Sequence, residues 1–122
     1  MAVFKASPED VYALLMDSKK HSMFTKSKAV ISKKEGGAFS AYDGGLRGKN
    51  VKLIPGKMIV QLWRCDMKGW PKKHFSVAVF FFNKFRKGTR LDFIQTDVPE
   101  ECYGEISKGW KKFYWQPMKR ML

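Results

Sequence analysis

The side chains that could carry out chemistry in this chain are few and far apart. The two histidines, His21 and His74, and the two cysteines, Cys65 and Cys102, are not spaced like the ligands of a metal site. A nucleophile needs a base within hydrogen-bond reach and a third group that orients the base, and neither Cys65 nor Ser76 lies in such a motif. The sequence therefore predicts no metal site, no cofactor and no catalytic residue. We expect both histidines at the surface or in turns.

The strongest signal in the composition is positive charge. Lys and Arg total 24 against 11 Asp and Glu, which gives a formal net charge of +13. A field of this sign attracts nucleic acids, anionic membranes and acidic proteins. The basic residues come mostly as dispersed pairs, which favour a solvated coat over a single binding footprint. These pairs are Lys19-Lys20, Lys33-Lys34, Lys72-Lys73, Arg86-Lys87 and Lys111-Lys112. Trp70 and Trp115 could stack on bases, but no reader motif accompanies them, so a nucleic-acid partner is disfavoured.

Length and composition indicate one packed domain that spans residues 1–122. Of the 122 residues, 44% are hydrophobic and 15% are aromatic, which is enough for a substantial hydrophobic core. No stretch approaches the roughly twenty apolar residues that a membrane-spanning helix needs. The first residues lead directly into a helix start, without the pattern of a secretory signal, so we expect a protein of the cytoplasm.

Capping and turn residues divide most of the chain into short elements. Ser7 can cap a helix that begins at Pro8, and Asp17 can cap a second helix that ends near Thr25. Strands separated by glycine turns follow, and their short connections favour antiparallel neighbours. We expect strands at 29–33, 38–42, 46–54, 58–64, 74–83 and 90–96, and residues 3–6 could add one edge strand.

The segment Pro99–Leu122 carries the only long helical pattern. Its apolar stripe consists of Ile106, Trp110, Phe113, Tyr114, Pro117 and Met121, and its basic residues lie mainly on the remaining surface. We expect the core residues of this helix to be Trp110, Phe113, Tyr114 and Met118. Proline lacks a backbone donor and clashes with the preceding turn, so Pro117 should kink the helix and leave residues 118–122 as a movable flap. The helix would cover the concave face of the strands.

Alternation along the strands sorts their side chains onto two faces. The predicted inner face includes Ile59, Gln61, Trp63, Ser76, Ala78, Phe80, Phe82, Leu91, Phe93 and Gln95. Gln61, Ser76 and Gln95 would be polar groups in an apolar interior, where they either bond to one another or anchor a ligand. The predicted outer face includes Met58, Val60, Leu62, Val77, Val79 and Phe81. This apolar patch either binds a partner or second copy, or lies under turns and side-chain stems.

Several short motifs resemble those of one known family. The opening Ser7-Pro8-Glu9-Asp10-Val11-Tyr12 is similar to the helix start common in the START-like (helix-grip, SRPBCC) superfamily. Further segments resemble, in order, the domain homologous to the C-terminal half of the activator of the heat-shock protein ninety ATPase. They are Gly36-Gly37-Ala38-Phe39, Asp43-Gly44, Pro55-Gly56-Lys57, Gln61-Leu62-Trp63-Arg64, Gly88-Thr89-Arg90-Leu91, Val98-Pro99, Gly109-Trp110 and the run Phe113-Tyr114-Trp115-Gln116-Pro117-Met118-Lys119.

This resemblance implies an α+β helix-grip fold, in which a curved antiparallel β-sheet wraps around a long C-terminal helix, with short N-terminal helices. Family members often enclose an apolar cavity between the sheet and the helix. The full-length activators use this domain to contact the nucleotide domains of the chaperone, supported by a separate N-terminal domain that these 122 residues do not contain. The resemblance therefore implies a non-catalytic binding module; a cyclase-like enzyme, as found elsewhere in the superfamily, is a less favoured alternative.

Two kinds of binding site follow from the resemblance and from the predicted faces. A heat-shock protein ninety-type chaperone, or another acidic protein, would contact Lys108, Lys111, Lys112, Val77, Val79 and Phe81. A small hydrophobic ligand or lipid would instead occupy the cavity lined by Phe39, Gln61, Trp63, Ser76, Phe80, Gln95, Trp110 and Tyr114. The sequence is compatible with either a monomer or a homodimer.

Overall fold

Seven antiparallel strands form a single sheet in the computed structural model of this chain, which describes residues 1–122. The strands are β1 (Ala2–Phe4), β2 (Val30–Ile31), β3 (Ala38–Ala41), β4 (Leu46–Ile54), β5 (Met58–Cys65), β6 (Ser76–Phe85) and β7 (Gly88–Thr96). They are ordered β1-β7-β6-β5-β4-β3-β2, so only β1 departs from sequential neighbours. The helices are α1 (Pro8–Met16), α2 (Ser18–Thr25), α3 (Tyr103–Trp110) and α4 (Gln116–Met121). The predicted α+β class is confirmed.

The two N-terminal helices begin where the capping residues predicted. The Ser7 hydroxyl accepts a hydrogen bond from the backbone N–H of Asp10 at 3.2 Å, and the Asp17 carboxylate accepts one from the N–H of Lys20 at 3.0 Å. Each cap satisfies a backbone donor that the first helical turn leaves without an intrahelical partner. The sequence therefore placed both helix starts correctly.

The first predicted strand after the helices is shorter than expected. Residues 29–33 were predicted to be extended, but only Val30–Ile31 pair with β3. The hydroxyls of Ser18 and Ser22 accept hydrogen bonds from the N–H groups of Ile31 at 2.8 Å and Ala29 at 2.9 Å. Helix α2 therefore covers this sheet edge, which leaves it few free donors for another strand.

The predicted inner and outer faces are confirmed by the strand register. Gln61 lies opposite Ala78, and Ala78 opposite Gln95, on the inner face. On the outer face, the directly opposed pairs are Met58 with Phe81, Val60 with Val79, and Leu62 with Val77. Strand β4 has the predicted bounds and contains a bulge between Asn50 and Lys52.

The C-terminal helical segment lies across the inner face, as predicted. It starts with a 3₁₀ turn at Glu100–Cys102 and has a π-helical turn at Lys111–Trp115 between α3 and α4. The indole ring of Trp110 packs against Phe93, with ring centroids 4.4 Å apart, and against Trp63, at 5.5 Å. The helix thus closes the concave side of the sheet.

The prediction that Phe113 and Met121 belong to the apolar stripe of the helix was wrong. Phe113 is 46% exposed and Met121 is 37% exposed, whereas the buried residues from Trp110 onward are Trp110, Tyr114 and Met118. These buried residues are spaced by four, which matches a helix that turns more slowly than 3.6 residues per turn. The π-helical turn supplies this slower rotation and moves Phe113 away from the core.

The predicted movable flap after Pro117 is also wrong, whereas the kink at Pro117 stays a prediction. The helix continues through Pro117, and Met118 is fully buried. Proline cannot donate to the carbonyl four residues earlier, which belongs to Phe113. The Tyr42 hydroxyl instead donates a hydrogen bond to that carbonyl at 2.8 Å. Satisfying the carbonyl in this way keeps the helix continuous and fixed to the β3–β4 turn.

Candidate functional site

One chain of hydrogen bonds runs through the interior between the sheet and the C-terminal helix. The indole N–H of Trp110 donates to Gln95 Oε1 at 2.8 Å, and Gln95 Nε2 donates to Ser76 Oγ at 2.9 Å. The Ser76 hydroxyl donates in turn to the Trp63 carbonyl oxygen at 2.9 Å. Of the two alternatives raised by the sequence, pairing within the protein accounts for the polar groups of Ser76 and Gln95.

A second buried network centres on Asn50, which the sequence analysis missed. Asn50 is fully buried on the inner side of β4, and its Oδ1 accepts a hydrogen bond from Gln61 Nε2 at 3.1 Å. Its Nδ2 donates to the carbonyl oxygens of Ser32 at 2.7 Å and Lys34 at 3.2 Å. Gln61 is therefore also paired. Alternation from Leu46 along β4 was the signal that places Asn50 inside.

The predicted ligand cavity is almost filled. Only about 20 Å³ remains between the sheet and the helix, which is room for about one water molecule. Six of the eight predicted ligand-binding residues line this space, namely Phe39, Gln61, Trp63, Phe80, Trp110 and Tyr114, whereas Ser76 and Gln95 do not. A lipid does not fit there in this conformation.

A larger apolar pocket opens beside this filled interior. It has a volume of about 220 Å³ and lies between the ends of β4 and β5 and the C-terminal helix. Eight of its eleven lining residues are hydrophobic, and only Trp63, Trp110 and Tyr114 among them were predicted ligand-binding residues. The others are Tyr42, Gly45, Leu46, Cys65, Asp66, Ile106, Gly109 and Phe113. The sequence analysis placed Ile106 and Phe113 on the apolar stripe of the helix but did not bring them together with the β3–β4 turn and the ends of β4 and β5.

His21 is not the surface residue that the sequence predicted. It is only 5% exposed and packs between Phe24 and Tyr114. Its Nδ1 lies 3.1 Å from the Leu15 carbonyl and its Nε2 lies 2.9 Å from the Tyr114 hydroxyl. A carbonyl can only accept, so Nδ1 carries the proton and Nε2 accepts from Tyr114. Burial lowers the pKa of His21 from 6.5 to about 4, so the ring is neutral near pH 7 and joins the N-terminal helices to the C-terminal helix.

The predicted partner-binding residues fall on two separate surfaces. Lys108, Lys111 and Lys112 are exposed on the solvent side of the C-terminal helix. The other three belong to the outer face of β6, where Val77 and Val79 are half-buried and Phe81 is exposed. The sheet separates these two groups, so the structure does not bring them into one site.

The structure assembles a basic groove that the sequence analysis missed. We call it the outer groove and define it by its five cations, Arg47, Lys49, Arg64, Lys72 and Lys73. It has a volume of about 870 Å³ and also includes the apolar side chains of Val30, Leu62 and Phe75. The cations come from β4, β5 and the β5–β6 loop, and only the strand register places them together. Basic residues that are dispersed in the sequence therefore form one concentrated patch in the structure.

Comparison with known proteins identifies the family. The family model described as Activator of Hsp90 ATPase homolog 1-like protein matches residues 5–122. The chain belongs to this family. The resemblance found from the short motifs is thereby confirmed. No helix of this family member has both the length and the apolar character needed to cross a membrane.

The chain is also similar to curated members named as activators of a chaperone ATPase. It is 36% identical to the activator of 90 kDa heat shock protein ATPase homolog of Dictyostelium discoideum over 110 residues, which cover 89% of this chain and 28% of that protein. It is 29% identical to homolog 1 of Homo sapiens over 117 residues, which cover 96% of this chain and 34% of that protein. The chain thus spans about a third of the length of these relatives.

Solved structures confirm the helix-grip fold of this family. An HSP90 activator from Plasmodium falciparum matches with a TM-score of 0.90 at 18% identity, covering 98% of this chain and 90% of that one. A protein from Chromobacterium violaceum matches with a TM-score of 0.78 at 20% identity, covering 98% and 91% of the two chains. At these sequence identities the structural similarity shows only that the fold is shared.

Proposed function

We propose that this family member is a non-catalytic protein-binding domain, comprising residues 1–122, whose partner is an HSP90-type chaperone in the cytoplasm. The observation that carries the proposal is the family match over residues 5–122, because relatives within that family are named as activators of the chaperone's ATPase. The net charge of +13 supports association with an acidic protein surface. The nearly filled interior also favours binding through outer surfaces.

Lys108, Lys111 and Lys112 are the proposed contacts on the helix side. All three are exposed on the last helical segment, and Lys112 Nζ lies 5.2 Å from the Phe113 ring centroid. A cation above an exposed aromatic ring gives a surface that can bind a carboxylate and an apolar group together. Val77, Val79 and Phe81 are the proposed contacts on the opposite, outer face of the sheet.

The proposal is tested by titrating the protein with a purified HSP90-type chaperone in a calorimeter. We expect binding that weakens by at least about tenfold between about 50 and about 300 mM salt, because surface charge pairs are screened. The variant Lys111→Glu/Lys112→Glu should weaken binding further. The matched control is Lys84→Glu/Lys87→Glu, which makes the same charge change at the β6–β7 turn. Absence of binding at the lower salt concentration would contradict the proposal.

The apolar pocket supports a second candidate function, binding of a small hydrophobic ligand. Its volume of about 220 Å³ and mainly apolar lining suit a compound with one or two rings better than a lipid chain. The pocket can be filled from Gly109, because an added Cβ meets only Phe113 Cδ2 at 3.7 Å. Gly104 in the same helix is a matched control, since a Cβ there meets nothing within 4 Å.

This second function is tested by thermal unfolding in the presence of small aromatic compounds. A ligand in the pocket should raise the unfolding temperature of the parent protein and of Gly104→Leu. The same compound should have no effect on Gly109→Leu. An equal rise in both variants would place the ligand elsewhere.

A further inference from the structure

We propose that the outer groove binds an extended acidic segment of the partner protein that presents both carboxylates and apolar side chains on one face. The inference rests on the proposed function for the kind of partner, a protein, and adds the chemistry that the groove would recognise. None of the residues that line the groove carries a carboxylate. Its five cations therefore have no acidic side chain in the groove to neutralise them.

Two arginines face each other directly within the groove. Arg47 of β4 lies opposite Arg64 of β5 in the strand register. Like charges in this position are destabilising, because cross-strand Cβ atoms are only about 5 Å apart. The two ion pairs of the protein join Lys33 to Asp17 and Arg90 to Asp92, so neither relieves the repulsion. An anion placed between the two guanidinium groups would relieve it.

The Arg64 guanidinium also has unused hydrogen-bonding capacity. Its Nε is buried and is the only buried side-chain nitrogen or oxygen without a hydrogen-bond partner. Its Nη2 makes one long hydrogen bond, at 3.4 Å, to the Pro71 carbonyl. Buried donors are almost always paired in folded proteins. A guanidinium presents donors in a fork that matches both oxygens of a carboxylate.

The apolar side chains of the groove indicate which other residues the bound peptide would carry beside its carboxylates. Leu62 lies between Lys49 and Val77 on neighbouring strands, while Val30 and Phe75 are exposed beside the cations. Apolar and cationic side chains thus lie side by side on this face. An extended peptide directs every second side chain to the same face, so carboxylates and apolar side chains placed at every second position would all face the groove.

A nucleic acid fits the groove less well than a peptide. Bases need accessible aromatic faces on which to stack. Trp70, which the sequence analysis had considered for this role, is buried, and its indole N–H bonds to the His74 carbonyl at 2.8 Å. Phe75 is the one exposed aromatic ring among the residues of the groove.

The test uses a fluorescein-labelled peptide of about ten residues, and binding is followed by fluorescence anisotropy. Every second residue of the peptide is Glu or Leu in turn, and the residues between them are Ser, so that Glu and Leu share one face. We expect Arg47→Gln to weaken binding about tenfold, which is typical of losing one charge-assisted contact. The control Arg120→Gln removes the same charge from the exposed end of the C-terminal helix and should change binding less than about threefold. Without peptide, Arg47→Gln should raise the unfolding temperature at low salt, because it removes the repulsion with Arg64. A purely structural arginine would have the opposite effect.

Three results would overturn the groove assignment. They are equal weakening by Arg47→Gln and Arg120→Gln, equal binding of a peptide with Gln in place of Glu, and tighter binding of single-stranded DNA of the same length. Titration with the chaperone separates this inference from the proposed function. If the chaperone binds and Arg47→Gln changes neither interaction, the groove assignment fails and the function stands. If the peptide binds through Arg47 but the chaperone does not bind, the proposed function fails.

Discussion

Protonation of His21 should destabilise the fold. The ring is neutral in the folded protein, where it donates to the Leu15 carbonyl and accepts from the Tyr114 hydroxyl. Adding a proton to Nε2 removes the acceptor that Tyr114 uses and leaves a charge in a site that is 5% exposed. We therefore predict that acid weakens the junction between the N-terminal helices and the C-terminal helix.

The size of this effect follows from the pKa of His21, which burial lowers from 6.5 to about 4 in the folded state. Between these values the unfolded chain binds more protons than the folded chain, so stability falls as the pH falls. Above the unfolded-state pKa the effect vanishes. One pKa unit corresponds to about 1.4 kcal/mol, which gives a loss of about 2.5 kcal/mol between about pH 7 and about pH 4.5.

Urea denaturation at these two pH values measures the loss directly. Because carboxylates also titrate in this range, the informative quantity is the difference between the parent protein and His21→Gln, whose amide can donate and accept without becoming charged. The parent should lose about 2.5 kcal/mol more than the variant. His74→Gln is the matched control, since it removes the other histidine and leaves the contact of His21 with Tyr114 intact. Equal pH dependence in the parent and His21→Gln would refute the reasoning.

Three further predictions concern individual hydrogen bonds. Asn50→Ala should lower the free energy of unfolding by about 2–4 kcal/mol, because its buried hydrogen-bond partners are left unpaired. The control Asn83→Ala, at an exposed position, should lower it by less than about 1 kcal/mol. Urea denaturation measures both values. Tyr42→Phe should lower the free energy of unfolding by about 1–2 kcal/mol in the same measurement, since the Phe113 carbonyl loses its hydrogen-bond donor. Unchanged stability would show that water replaces the hydroxyl. Trp110→Phe should lower the free energy of unfolding by about 2–4 kcal/mol, because buried apolar area is lost and Gln95 Oε1 loses its donor. Near-ultraviolet circular dichroism shows whether the remaining aromatic packing persists.

Strand faces and helix starts were predictable from the sequence because both depend on local rules. Alternation placed Gln61, Ala78 and Gln95 on one face, and the register confirms this arrangement. Ser7 and Asp17 marked helix starts because their side chains bond to backbone groups three residues later. In each case, the residues that decide the structure are neighbours in the chain or a fixed step apart.

The errors arose where an irregular helical turn or a distant segment decides the outcome. Phe113 was assigned to the core with a regular helical period, but the π-helical turn changes that period. His21 was assigned to the surface because the sequence gave no sign of its contact with Tyr114, 93 residues later. The outer groove depends on Arg47 and Arg64 meeting across two strands, and neither residue stands out in its own segment. Register and long-range packing were the missing information.

The way the core is completed has a consequence for the protein during its synthesis. Trp110, Tyr114 and Met118 are the last large buried side chains along the sequence, and they cover aromatic residues contributed by strands that precede them. A nascent chain that stops before residue 110 would leave Trp63 and Phe80 open to water and to other chains. Incomplete nascent chains would therefore depend on the ribosome, or on a bound chaperone, to avoid aggregation until the C-terminal helix has been synthesised.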